Sequence, residues 1–257
     1  MKKIFQYYKK TFLLSFSIAK ANFKLRNEGS YLGIFWYLLN PLSLFAILLF
    51  LRGAFFSTEH IKFYPIYLLI GIIMINFFNQ LIGFSINVIQ NNSGYIKSIK
   101  ISQEVFVFAM VIQFIFSHIF ELMLVAILFV FFKVSLIGIL LYLFIFIFFT
   151  IFVLGLCLIF AVIGLYINDF NNIWSIASQL LFFITPIFYS ISPGTNLSAI
   201  NHFNPLFHFI TITRDVAIYG IFPPLPIILL MIGISVGSFF VGSIIFNKFK
   251  GKFAELV

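Results

Sequence analysis

Six stretches of the chain are almost unbroken in apolar residues, at about 32–51, 64–89, 105–132, 136–167, 173–191 and 225–246. Each supplies roughly the 20 residues that a helix needs to cross hydrocarbon. The pattern predicts an all-α integral membrane protein with six transmembrane helices, residues 1–257 forming one membrane domain. Residues 2–25 carry a different period. Phe5, Tyr8, Phe12, Phe16, Ala19 and Phe23 recur at spacings of three and four, while Lys3, Gln6, Lys10, Ser17, Lys20 and Lys24 take the opposite side. The two sets separate at about 100° per residue, which predicts an amphipathic helix in the membrane interface, rings toward acyl chains and lysines toward headgroups.

Polar positions inside the apolar stretches carry the next layer of information. Asn76, Gln80, Gly83, Asn87 and Gln90 follow one another at intervals of four, three, four and three. Such a stripe faces protein or a water-filled path, because lipid offers its amides no partners. In the third stretch Gln113, Ser117, His118 and Glu121 share one side, and Glu121 is the one acid well inside a span. An intramembrane carboxylate faces a bundle interior and takes a partner, so His118–Glu121 reads either as a satisfied structural pair or as a proton relay. Asn40-Pro41 lies inside the first stretch, where a mid-span proline favours a kink, Thr185-Pro186 lies near the outer end of the fifth, and Gly138, Gly155 and Gly164 offer close approach in the fourth. Residues 91–104 are the most polar internal loop, with a break at Ser93-Gly94 and room for one or two helical turns. Residues 192–224 are too polar to span and too apolar for a free loop. Two short helices dipping back into the outer leaflet reconcile those facts.

Composition agrees with this reading: 62% of residues are hydrophobic and 9% charged, and mean hydropathy is +1.14. The formal charge of +9 invites a nucleic-acid partner, but its placement argues otherwise. Lys2, Lys3, Lys9, Lys10, Lys20, Lys24 and Arg26 precede the first span, Lys97 and Lys100 follow the second, and Lys248, Lys250 and Lys252 follow the last. That is the positive-inside distribution, with both termini cytoplasmic and contact with anionic lipid. Cys157 stands alone in an apolar run, so no disulfide framework or thiolate metal site is expected.

The chain lacks a G-x-x-x-x-G-K-[ST] loop and so cannot bind ATP in the P-loop manner. No H-E-x-x-H, paired-acid or nucleophile–base arrangement stands out, and His202 and His208 lack the acids or cysteines that would complete a metal site. Six spans, a polar stripe and no catalytic constellation point to passage of something across the membrane. The other classes are a membrane enzyme using Glu121 and His118, and a proton-coupled transporter using Glu121.

Four motifs add a resemblance. Arg26-Asn27-Glu28-Gly29-Ser30-Tyr31-Leu32-Gly33-Ile34-Phe35-Trp36 with Asn40-Pro41 resembles the opening motif of ABC transporter permeases, the membrane subunits of type-2 ABC exporters for polysaccharides, O antigen and teichoic acid. Asn168-Asp169-Phe170 resembles that family's acidic turn before span five. Thr185-Pro186-Ile187-Phe188-Tyr189-Ser190 resembles its end to span five, and Asn204-Pro205 with Arg214 and Gly220 its outer pattern. The motifs stand in order over nearly the whole chain. Asn27, Glu28 and Asn168 depart from the pattern, occupying places where the family commonly has an aromatic residue, a second basic residue and an arginine.

The resemblance implies a permease homodimer with two copies of a separate ATPase subunit, which would bind ATP and Mg. The substrate would be a lipid-linked glycan, O antigen foremost, with teichoic acid and capsular polysaccharide as alternatives, in the cytoplasmic (inner) membrane. Tyr95, Ile96, Lys97, Ser98, Ile99 and Lys100 would couple to the ATPase, and residues 192–224 would form outer re-entrant helices gating the exit. Gly29, Ser30 and Gly33 would allow a tight turn between the interface helix and the first span.

Overall fold

The structure, a computed structural model, describes residues 2–28, 31, 33, 35–55, 61–98, 101–191 and 194–256, and contains no strand among them. Its α-helices are α1 (Lys2–Asn27), α2 (Phe35–Phe55), α3 (Tyr64–Asn87), α4 (Ser93–Ser98), α5 (Glu104–Phe131), α6 (Ile137–Tyr166), α7 (Phe170–Ile184), α8 (Asn196–His202), α9 (Pro205–Arg214), α10 (Leu225–Phe249) and α11 (Phe253–Leu256). A π-helical turn, Asp215–Tyr219, follows α9.

The apolar helix α3 is the axis of the bundle. It packs against α2, α5, α6, α7 and α9, and 72% of its apolar window is buried, against 11% for α2. A helix enclosed on every side is apolar all round, which is why Ile66, Leu68, Leu69, Ile70, Ile72, Ile73, Met74 and Ile75 are buried in near-continuous succession. In lipid no hydrophobic gain separates helix contact from lipid contact, so close packing and interhelical hydrogen bonds hold the bundle. The glycines of α6 show this: Gly155 lies against Ser238 and Gly242 of α10, and Gly164 against Ile86 of α3, leaving no space for a Cβ. Phe77 of α3 packs on Phe146 and Phe149 of α6, and Phe209 of α9 lies on Phe149 and Phe152.

Five helices, α2, α3, α5, α6 and α10, have spanning length and composition, so the chain is a multi-pass membrane protein. The expected fifth span differs. Its helix α7 has 15 residues, about 22 Å at 1.5 Å per residue, short of about 30 Å of hydrocarbon. Pro186 accounts for this: a proline disfavours helical geometry in the residue before it, and here Thr185 is extended at φ −75°, ψ 132°, whereas α2 continues through Asn40-Pro41. The chain then continues without helix, held by side chains.

The N-terminal helix α1 spans Lys2–Asn27, against the 2–25 read from the sequence. It lies along α5, with Thr11, Ser15 and Ala19 facing protein and Ser15 Oγ donating to the Val105 carbonyl at 3.2 Å. Small side chains let the two helices approach, whereas Phe12 and Phe16 remain exposed, and Phe16 and Phe23 reach the rings of Phe116 and Phe120.

Candidate functional site

Four elements enclose a cavity of about 660 Å³: the end of α1, the start of α2, and the facing sides of α3 and α5. That volume lies within the ~300–1,000 Å³ of small-molecule sites. The cavity meets α5 at Phe114, Ser117, His118 and Glu121, about 15–26 Å along the helix from Glu104 at 1.5 Å per residue. It therefore reaches from the basic end of the bundle toward the middle of the membrane.

Arg26 stands in its wall. The guanidinium carbon lies 5.2, 5.6 and 5.5 Å from the ring centres of Tyr37, Phe84 and Phe114, a cation–π cradle. Its neighbour Glu28 pairs with Lys24 at 3.3 Å instead, and Arg26 has no ion pair or hydrogen bond among the described residues. Opposite, His118 Nδ1 is 2.7 Å from Glu121 Oε2, and His118 Nε2 is 2.8 Å from the Tyr142 hydroxyl. Spacing of three on a helix brings His118 and Glu121 together, and Phe146 stacks on the imidazole at 4.1 Å. Glu121 Oε1 and the side-chain amides of Asn40 and Gln80, which also line the cavity, have no hydrogen-bond partner among the described residues.

Several separate expectations therefore meet in one place: Gln80, His118 and Glu121 from the polar positions, and Arg26, Gly33, Trp36 and Pro41 from the opening motif. Gly33 has φ +45°, a left-handed conformation that costs a residue with a Cβ; Gly29 and Ser30 lie outside the described residues. The rest of the α3 stripe has other partners. Asn87 and Asn171 exchange amide hydrogen bonds of 3.0 and 2.9 Å, joining α3 to α7, Gly83 lies against Trp174, and Gln90 donates to the Gly164 carbonyl at 3.3 Å. Asn76 and Gln113 are outside the cavity wall. Asn40 entered only as the partner of Pro41 in the opening motif, and Tyr37 and Tyr142 were not singled out from the sequence; nothing distinguishes Tyr142 within its apolar run.

The later motifs converge at the far end of the bundle. Arg214, 2% exposed, donates Nε to Tyr67 O at 3.0 Å, Nη1 to Pro186 O at 2.7 Å and Nη2 to Ile187 O at 2.7 Å. Its Cζ lies 3.5 Å over the Tyr67 ring, and Gly71 supplies the passage, since a Cβ there would collide with the guanidinium. Asn204 caps α9 by accepting from Leu206 N, with Pro205 at the first helical position. Its amide donates to Thr185 Oγ1 at 3.0 Å. Tyr189 donates to Phe183 O and Ile184 O, while Tyr64 and Tyr67 donate to Phe188 O and Tyr189 O. Side chains thus satisfy the carbonyls released when Pro186 ends α7. Asp169 serves as the N-cap residue of that same helix at its other end.

At the basic end, the break expected at Ser93-Gly94 is instead the start of α4, which contains Tyr95, Ile96, Lys97 and Ser98; Ile99 and Lys100 lie outside the described residues. Ile96 is buried and Tyr95, Lys97 and Ser98 are exposed, so α4 presents a polar face outward from an apolar anchor. The C-terminal helix α11 packs on it, and Lys250 reaches Glu104 at 3.7 Å.

Residues 14–218 match the family described as ABC-2 type transporter, and the chain belongs to that family. No curated protein matches it. Membership makes the chain a membrane permease of an ABC transporter and implies partnership with an ABC ATPase subunit.

Proposed function

We propose that this ABC-2 permease exports a lipid-linked polysaccharide, O antigen foremost, across the cytoplasmic membrane, with teichoic acid or capsular polysaccharide as the alternative cargo. The observation that supports this reading is the cavity, lined together by an unpaired guanidinium, aromatic rings and unengaged amide and carboxylate groups (Arg26, Trp36, Asn40, Gln80, Glu121). Rings pack on sugar C–H faces and polar groups bond hydroxyls, while the lipid carrier remains in the bilayer. The working unit is a homodimer with two ATPase subunits. Apolar α2 and α7 carry exposed side chains such as Phe50 and Phe183, surface suited to a second copy.

In this reading the chain crosses the membrane six times with both termini cytoplasmic, and α8 and α9 dip into the outer leaflet. ATP and Mg bind the partner ATPase, whose closure moves α4 and residues 91–104. The movement separates α2 and α7 at the dimer interface and opens a path for the glycan. Deleting the gene in its host is expected to leave lipid-linked polymer inside the cell, and the accumulated glycan identifies the cargo. The wild-type protein is expected to co-purify with an ATPase encoded nearby. Unchanged surface polymer together with transport lacking an ATPase would overturn the proposal.

A further inference from the structure

We infer that the cavity is a headgroup site for a glycosyl phosphate, with Arg26 holding the phosphate and Glu121 selecting against an acidic first sugar. The inference rests on the lipid-linked glycan reading and goes beyond it to the part of the cargo that is recognised. Arg26 is a cation positioned by three rings and spent on no acceptor. Its planar fork matches phosphate geometry and can bond two oxygens at once. Farther in, Asn40 and Gln80 offer neutral amides of both donor and acceptor character. The deepest polar group is Glu121, whose Oε2 is committed to His118 while Oε1 is not engaged. A carboxylate accepts from hydroxyl or N–H groups, and it repels another carboxylate at close range where low dielectric leaves the charges unscreened. The order of groups along the cavity is therefore phosphate, then a neutral or N-acetylated sugar, and a uronic acid is disfavoured next to the phosphate.

Trp36 lines the cavity, and the chain has only two tryptophans. A Trp174→Phe background thus makes Trp36 emission a direct reporter of occupancy. Purified permease in nanodiscs is titrated with a short prenyl diphosphate carrying N-acetylglucosamine, with the same prenyl diphosphate carrying glucuronic acid, with inorganic phosphate and with phosphatidylglycerol. The N-acetylglucosamine probe is expected to shift the emission, with inorganic phosphate and phosphatidylglycerol binding much more weakly. Arg26→Gln is expected to weaken that binding about ten- to hundredfold, the value of one charge-assisted hydrogen bond. Arg26→Lys recovers part of it. The glucuronate probe is expected to bind less tightly than its neutral counterpart, and Glu121→Gln to remove the difference. Thermal unfolding of each variant confirms that it is folded.

If neither glycolipid binds wild-type protein, both this inference and the glycan-export reading fall. Binding that is indifferent to Arg26→Gln and Glu121→Gln overturns this site and leaves the export reading standing. A phosphatidylglycerol response equal to that of the neutral glycolipid overturns the glycan assignment in favour of an ordinary lipid headgroup site.

Discussion

Arg214 and Arg26 both lie over tyrosine rings, at 3.5 and 5.2 Å, yet their surroundings are opposite. Arg214 is buried, with three nitrogens on three carbonyls. Arg26 is exposed, without a hydrogen bond among the described residues. The first completes the structure: it closes the end of α7 where Pro186 frees backbone carbonyls, and ties that end to α3 and α9. The second is surplus to the fold and faces a cavity whose amides are equally unengaged. Saturation of polar groups distinguishes a structural node from a working site more sharply than residue type does.

The largest expected effect tests the saturated region. Arg214→Met leaves the non-helical carbonyls of Pro186 and Ile187 without donors in a site closed to water, which costs about 3–5 kcal/mol by the measure of a broken buried charge network. Thermal unfolding in detergent is expected to show a large loss, and Arg214→Lys an intermediate one, because a single ammonium cannot reproduce the fork. A Met variant as stable as wild type would dissolve the contrast between the two regions.

Next comes the turn between α1 and α2. Gly33→Leu places a branched side chain at φ +45°, a cost of about 1–2 kcal/mol. Membrane insertion and ATP hydrolysis are expected to persist while export is lost, measured in vesicles with the assembled transporter; wild-type export would remove the hinge role from Gly33. A smaller effect is expected from Glu121→Gln, whose amide oxygen still accepts from His118. Stability is expected to stay within about 1 kcal/mol, with partner-driven ATP hydrolysis retained. If hydrolysis is abolished in a stable, assembled variant, the proton-relay reading of His118–Glu121 gains over the structural one. Smallest is Lys250→Gln, which removes a partly exposed pair with Glu104 worth about 0–1 kcal/mol. A much larger loss of stability would show that the end of α10 is tied to the start of α5 more firmly than its geometry indicates.

Much of the fold was legible in the chain. Length and polarity of apolar runs reflect the water–lipid boundary directly, so α2, α3, α5, α6 and α10 lie where hydropathy places them. Periodicity likewise anticipated that His118 and Glu121 would meet, because helical geometry is local. Local chemistry explains α9 as well, through Asn204 as cap and Pro205 behind it. What could not be read is which helix each polar residue addresses. Gln80 and Asn87 share a stripe, yet one lines the cavity and the other bonds Asn171. The stripe fixes a face of α3, and only the placement of α2 and α7 decides what that face meets. The same holds for the packed side of α1, where Thr11, Ser15 and Ala19 are buried, because close approach to α5 depends on both surfaces.

By itself the sequence determined a basic-ended bundle of apolar helices and the resemblance to ABC permeases, while the end of α7 at Ile184 emerged only in the structure. Tertiary structure alone decided that Arg214 is consumed by carbonyls contributed from positions 67, 186 and 187, while Arg26 remains available beside Asn40, Gln80 and Glu121. The physical reason is that hydrogen-bond satisfaction depends on groups far apart in the chain. A guanidinium looks the same in any sequence until its neighbours are in place.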